Sequence, residues 1–255
     1  MLEIITHVSI REQPYLSHLG VDFALMSLLH SLRVAGAMAR ISAPTLLDAA
    51  RGHLDRETVD ERARWFGRRV IDVLGIDLVV RGAEHVPAHR AYVYMSNHQS
   101  HLDIPVLYAT LPSPTIRMLA KKELFQIPLW GRGLRAAEFI EVDRGTTRAV
   151  QSIEHAKRLI EDGVSIWMAP EGTRSRDGRI GPLKKGGFHL ARETQTPIVP
   201  VAIKGTIDIL RRGTKVMHTG KRVEVTLGAP IDVAGRELAS LIDEVQQFLR
   251  QHVEN

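Results

Sequence analysis

The sequence predicts an α/β fold: a mostly parallel or mixed central sheet flanked by helices and preceded by an N-terminal helical pair. Two observations carry that expectation. From Ile76 onward, short apolar runs alternate with longer segments of helical period, the pattern of strands connected through covering helices. Ahead of them lie two stretches whose apolar residues recur at three- and four-residue spacing, with no strand-like run between. A chain of 255 residues, 44% hydrophobic and 25% charged, is long enough to close around a sizeable core.

The first element expected is a helix over residues 21–41. Leu25, Leu28, Leu32, Ala35 and Ala39 share one face, while Asp22, Arg33 and Arg40 gather on another. A spanning helix needs roughly 20 mostly apolar residues, so these charges suit a helix lying along a surface. Gly36 weakens it, and Ser42-Ala43-Pro44 is expected to end it. A second helix over 57–74 carries the stripe Val59, Ala63, Phe66, Val70 and Val73, with Arg62, Arg64, Arg68 and Arg69 at its flanks. The pair fits two readings: helices packed on the domain, or helices whose outer face dips into a bilayer interface with arginines on anionic headgroups.

Strands are expected at 77–81, 91–95, 115–119, 138–142, 164–168 and 198–203, with an edge strand at 222–227. Helices are expected at 101–109, 146–161, 188–193 and 237–251. This divides the chain into an N-terminal helical segment, 1–75, and an α/β domain, 76–255. The first residues lack the basic start and small-residue cleavage site of a secretory leader, so a cytosolic active domain is expected.

Composition narrows the chemistry. The 34 Lys and Arg outnumber the 29 Asp and Glu by 5, an excess that suits anionic lipid, phosphate, acyl-thioester or nucleic-acid partners alike. Aromatic residues make up only 5% and do not interleave with the basic ones, so a nucleic-acid stacking surface is not expected. The lack of cysteine excludes disulfides, thiolate nucleophiles and cysteine-ligated zinc. His98 and His101 have no third ligand at zinc spacing, so neither a metal nor a cofactor is expected.

The chemistry-bearing stretch is Asn97-His98-Gln99-Ser100-His101-Leu102-Asp103, directly after the apolar run Ala91 to Met95. A chain turning from loop into helix there brings the Asp103 carboxylate back toward the His98 imidazole, fixing its tautomer and freeing the other nitrogen to take a proton. Alone, the pair also fits a surface or capping histidine, one of twelve in the chain. A second polar turn, Pro170-Glu171-Gly172-Thr173-Arg174-Ser175, follows the run Val164 to Met168. Two such turns at strand ends converge on one cleft in an α/β sheet.

Four ordered blocks make this chain resemble the glycerolipid acyltransferases, in particular those acting on 1-acylglycerol 3-phosphate. They are Asn97-His98 to Asp103, Phe139-Ile140-Glu141-Val142-Asp143-Arg144, Pro170 to Ser175, and Ile198-Val199-Pro200-Val201-Ala202-Ile203. The resemblance implies a fatty acyl group moved from acyl-CoA or acyl-carrier protein to the free hydroxyl of lysophosphatidic acid, on the cytoplasmic face of the cell membrane. The alternative acceptors are glycerol 3-phosphate, another lysophospholipid or a lyso-aminolipid; a non-catalytic lipid-binding scaffold is the alternative from another class. In this reading His98 is the base and Asp103 its partner, and Arg174 grips the acceptor phosphate with a planar guanidinium. Glu171 positions that arginine or an acceptor hydroxyl, Gly172 lets the backbone approach, and Thr173 donates a further hydrogen bond. Lys121, in Leu119 to Leu124, is implied to meet phosphate, with Arg144 as a third cation. The second block is longer than the commonest pattern between Ile140 and Asp143, which leaves the contact of Arg144 open. Ser100 lacks a placed base, and no Gly-x-Ser-x-Gly elbow occurs, so a serine hydrolase is not expected.

Overall fold

The computed structural model describes residues 19–127, 130–142 and 148–254. Two helices come first, α1 (Leu19–Ala50) and α2 (Arg56–Leu74). Asp55 caps α2 by accepting from Thr58 N–H at 2.7 Å, and Gly75 ends it at φ 58°, a conformation that favours glycine. There follow β1 (Asp77–Arg81), β2 (Val93–Ser96), α3 (Asp103–Thr110), β3 (Ile116–Lys121), α4 (Lys122–Phe125), α5 (Trp130–Ala136), β4 (Ile140–Val142) and α6 (Arg148–Glu161). The rest is β5 (Ser165–Met168), α7 (Gly186–Glu193), β6 (Ile198–Lys204), α8 (Thr206–Ile209), β7 (Arg222–Leu227) and α9 (Leu238–Val253).

Among the described residues, seven strands form one mixed sheet in the order β1-β7-β6-β2-β5-β3-β4. Every neighbouring pair is parallel except β6 with β7. Side chains alternate between its faces. Tyr92 and Tyr94 enter the core beneath α1, α2 and α3, while Val93 and Met95 enter the core beneath α6, α7 and α9. Gly67 lets α2 lie close on α3, since a Cβ there would come within 2.4 Å of the Pro105 carbonyl oxygen.

Three sequence expectations change. Pro44 lies inside α1 instead of ending it. Contacts with α2 hold the helix on both sides of the proline: before it Arg40 lies over the Trp65 ring, 5.3 Å from its centroid, and after it Arg62 reaches Thr45 Oγ1 at 3.0 Å and pairs with Asp48 at 2.5 Å, offsetting one lost backbone bond. Second, β7 is not an edge strand. It lies between β1 and β6 with Val223, Val225 and Leu227 buried, and the more exposed β1 takes the edge. Third, Glu138 leaves the fourth strand, turning at φ 60° so that its carboxylate meets Arg56. The start of the helix expected from Thr146 lies outside the described residues.

The helical pair also sorts its faces in two ways. In α2 the predicted stripe faces inward, with Val59, Phe66 and Val70 buried. In α1 the inner face is Ser27, His30, Val34, Ala37 and Met38, and the leucine face points outward, Leu28 being 54% and Leu32 58% exposed. Arg62 and Arg64 are not free for headgroups, because Arg62 pairs with Asp48 and Arg64 donates to the Leu111 and Ser113 carbonyls. Arg68 and Arg69 stay exposed.

Candidate active site

Three adjacent parallel strands deliver the site. Met95 of β2 stands opposite Met168 of β5 and Pro200 of β6, so the chains leaving those strands run side by side at the carboxyl edge of the sheet, where ligands bind in open α/β folds. Asn97 fixes the first turn by extending the ladder. Its amide donates to the Ile203 carbonyl at 2.7 Å and accepts from Ile203 N–H at 2.8 Å.

Asp103 lies at the first turn of α3 and is fully buried. Its Oδ2 sits 2.7 Å from His98 Nδ1 and accepts from the backbone N–H groups of Gln99, at 2.8 Å, and Ser100, at 3.0 Å. Thr206, beyond the end of β6, donates its hydroxyl to Oδ1. With donors converging on this carboxylate, His98 Nδ1 carries the proton and Nε2 keeps its lone pair. Trp167 stands edge-on to the imidazole, with ring centroids 6.3 Å apart. Its indole N–H is tied to Ser96 Oγ at 2.9 Å.

The second turn is sewn to the first. Glu171 accepts from His98 N–H and Gly181 N–H, each at 3.0 Å, and Ser175 N–H donates to the His98 carbonyl at 2.7 Å. Burial pushes the Glu171 carboxyl above its ordinary range, and the two backbone donors pull it back. Both Glu171 oxygens thus serve the backbone, and neither forms an ion pair with Arg174. Gly172 turns at φ 74°, where a Cβ would strike the Lys184 side chain. Thr173 is exposed, and Arg174 is half-buried beside it.

Arg174 falls in the same field as the histidine loop. Burial lowers its pKa, the neighbouring Arg212 lowers it further, and Asp103 raises it. The His101 imidazole is likewise lowered by burial first, then by Arg174, His98 and Lys121. Lys121 stands exposed at the end of β3. The residues brought together are therefore His98, Asp103, Glu171, Gly172 and Arg174, with the Lys121 charge felt at His101, whereas Arg144 lies outside the described residues. Ser100 spends its hydroxyl on the Leu210 carbonyl at 2.7 Å, away from any role as nucleophile. Thr206 and Arg212 escaped the sequence reading, since nothing in their local pattern ties them to a site 103 and 38 residues away.

Against the histidine loop lies a cavity of about 370 Å³, lined by His101 and Leu102 from the loop. Val34, Met38, Phe66 and Tyr108 supply part of its wall, and among the described residues the only polar side chains around it are Ser42, Thr45, Arg62, His101 and the Tyr108 hydroxyl. Such a space suits a hydrocarbon chain.

Fold and site together define a class: α/β proteins that hold an imidazole, oriented by a buried carboxylate, at the carboxyl edge of a sheet where it can take a proton from a bound hydroxyl. Comparison with known proteins supplies the family. Residues 77–204 match the family model described as Acyltransferase, and the chain belongs to that family. A 1-acyl-sn-glycerol-3-phosphate acyltransferase of Limnanthes douglasii is 41% identical over 150 residues, 58% of this chain and 52% of the relative. The 1-acyl-sn-glycerol-3-phosphate acyltransferase alpha of Mus musculus is 34% identical over 180 residues, 69% of this chain and 63% of the relative. The chain thus spans between half and two thirds of these curated relatives. The crystal structure of the 1-acyl-sn-glycerophosphate (LPA) acyltransferase PlsC from Thermotoga maritima superposes with a TM-score of 0.78 at 27% identity, covering 92% of this chain and 95% of that one.

Proposed function

We propose that this protein transfers a fatty acyl group from a thioester donor, acyl-CoA or acyl-carrier protein, to the free hydroxyl of lysophosphatidic acid, forming phosphatidic acid. The observation that carries this reading is the 2.7 Å contact between His98 Nδ1 and the buried Asp103 carboxylate beside an apolar cavity. His98 Nε2 removes the acceptor hydroxyl proton as that oxygen attacks the thioester carbonyl. The tetrahedral intermediate collapses, the carbon–sulfur bond breaks, and the thiolate takes the proton back from the imidazolium. Asp103 keeps the ring oriented and stabilises its positive form. No enzyme nucleophile is needed.

Arg174 and Lys121 hold the acceptor phosphate, with Arg144 as a third contact, and Gly172 and Thr173 shape the turn that carries the arginine. The cavity takes a hydrocarbon chain, each buried methylene contributing about 0.8 kcal/mol. Residues 1–75 seat the protein on the cytoplasmic face of the cell membrane through the outward leucines of α1, peripherally or monotopically. Among the described residues, no helix is long and apolar enough to cross a membrane.

The test is thiol release from acyl-CoA or acyl-carrier protein by purified protein. Release should require lysophosphatidic acid and vanish in His98→Ala. Release without acceptor would make the protein a hydrolase, and no release with any acceptor would leave a lipid-binding scaffold.

A further inference from the structure

The segment between α8 and β7 is the most basic exposed stretch that the proposed acyl transfer does not use. From Ile209 to Lys221 it holds Arg211, Arg212, Lys215 and Lys221 and no acidic residue. Residues 211–216 are all exposed, and among the described residues Arg211, Arg212 and Lys215 form no ion pair with a carboxylate. Cations left unpaired beside an apolar surface are the signature of a face that meets anions.

The segment is also built into a fixed shape. It turns tightly where Thr214 N–H donates to the Arg211 carbonyl at 3.2 Å, with Gly213 at φ 87°. Its two ends, Leu210 and Met217, both line the apolar cavity. The Leu210 carbonyl accepts from Ser100 of the histidine loop, and Met217 N–H donates to Ser27 Oγ of α1 at 2.8 Å. Ser27 belongs to the helix whose other face carries exposed Leu25, Leu28 and Leu32. Beside Met217, Val216 is 42% exposed. The basic tip is thus tied to the helix that carries the leucine face, and Arg212 Nη1 reaches back 2.8 Å to the Arg174 carbonyl.

We propose that residues 211–217 form a second membrane-docking element, an arm that binds the headgroups of an anionic phospholipid bilayer alongside the leucines of α1. The inference rests on the reading of α1 as the membrane-facing helix. Charge selects the occupant: several cations with an exposed valine, on a segment tied to the helix that carries the leucines, fit an anionic bilayer, whereas an acidic carrier protein has no use for the leucines. Seated on lipid, the arm steadies Arg174 through Arg212 where the acceptor arrives from the bilayer.

The test is co-sedimentation of the full chain with phosphatidylcholine vesicles, with and without phosphatidylglycerol, for the parent protein, Arg211→Gln/Lys215→Gln and Leu28→Ser/Leu32→Ser. Losing two arm charges should weaken binding to the anionic vesicles roughly 30-fold, leave binding to neutral vesicles unchanged, and lose its effect in high salt. Turnover of a short-chain acceptor dissolved as monomer should persist in that variant, separating docking from misfolding. Equal binding of parent and charge variant overturns the arm. So does unchanged vesicle binding with a raised KM for acyl-carrier protein alone, which would assign the arm to the carrier. If the leucine variant binds both vesicles as the parent does, the reading of α1 fails, and the charge variant still decides the arm.

Discussion

The histidine loop and the cationic rim are joined where Ser175 N–H donates to the His98 carbonyl, and they are built in opposite ways. Around His98 and Asp103, backbone and hydroxyl donors converge on one fully buried carboxylate, and Asn97, Glu171 and Ser100 each bind backbone of a neighbouring segment. Around Arg174 and Lys121 the side chains are half-buried or exposed, and the charge that weighs most on Arg174 is another cation, Arg212, ahead of the Asp103 carboxylate. The first region is organised before substrate arrives, as the proposed proton acceptor must be. The second, in the proposed reaction, is completed by the acceptor phosphate.

The contrast breaks most sharply at His98. His98→Ala should lower kcat about 10⁴-fold while the KM for acceptor moves little, since the rim is intact. Similar losses in kcat and gains in KM would mean that the imidazole binds rather than reacts.

Away from the site, Arg117 shows the same contrast in stability. It is fully buried and pairs with Asp60 at 2.6 Å, carrying α2 onto β3. Burial raises the Asp60 carboxyl, and Arg117 pulls it down. Arg117→Met strands that carboxylate and should cost about 3–5 kcal/mol in urea unfolding, whereas Arg81→Gln, at an exposed pair with Glu224, should cost about 0.5 kcal/mol or less. Equal costs would mean that the buried pair contributes nothing to seating α2.

Arg174→Ala tests the rim. Loss of charged hydrogen bonds should lower kcat/KM about 100-fold for the phosphorylated acceptor. The same acceptor without phosphate should be nearly indifferent to the change. Thr206→Val sharpens the other side: losing one donor on Asp103 should lower kcat roughly fivefold, leaving KM unchanged. Smallest is a pH effect at Glu138, whose carboxyl the Arg56 hydrogen bonds hold below its ordinary range. A lowered folded value means that the stabilisation is complete above the unfolded value of 4.5 and is lost as pH falls through the folded one. Glu138→Gln should therefore flatten the acid limb of the stability curve.

Much of the fold was legible because strand runs such as Ile198 to Ile203 are short, apolar and bounded by polar turns. The contact between His98 and Asp103 was legible for a local reason: the two lie five positions apart, at the end of one such run. What the sequence hid depends on contacts between distant segments. Pro44 reads as a stop, yet Arg62 from the next helix holds the turn that follows it. Nothing local to Asp60 or Arg117 signals their buried pair, which forms only when α2 covers β3. Glu171 reads as positioning Arg174 or an acceptor hydroxyl, and the sequence does not show that its oxygens meet two backbone N–H groups that only the folded turns bring near. The outward leucines of α1 were read as one apolar face, and the inner face of Ser27, His30, Val34 and Met38 has no comparable signal.

The most direct test of the central claim, direct attack by a substrate hydroxyl with His98 as base, is a single turnover with an isotope-labelled acyl thioester and lysophosphatidic acid, quenched and resolved by mass. All label should appear in phosphatidic acid, with none attached to the protein at any time. Label held covalently on the chain, or released as free fatty acid with acceptor present, would contradict it.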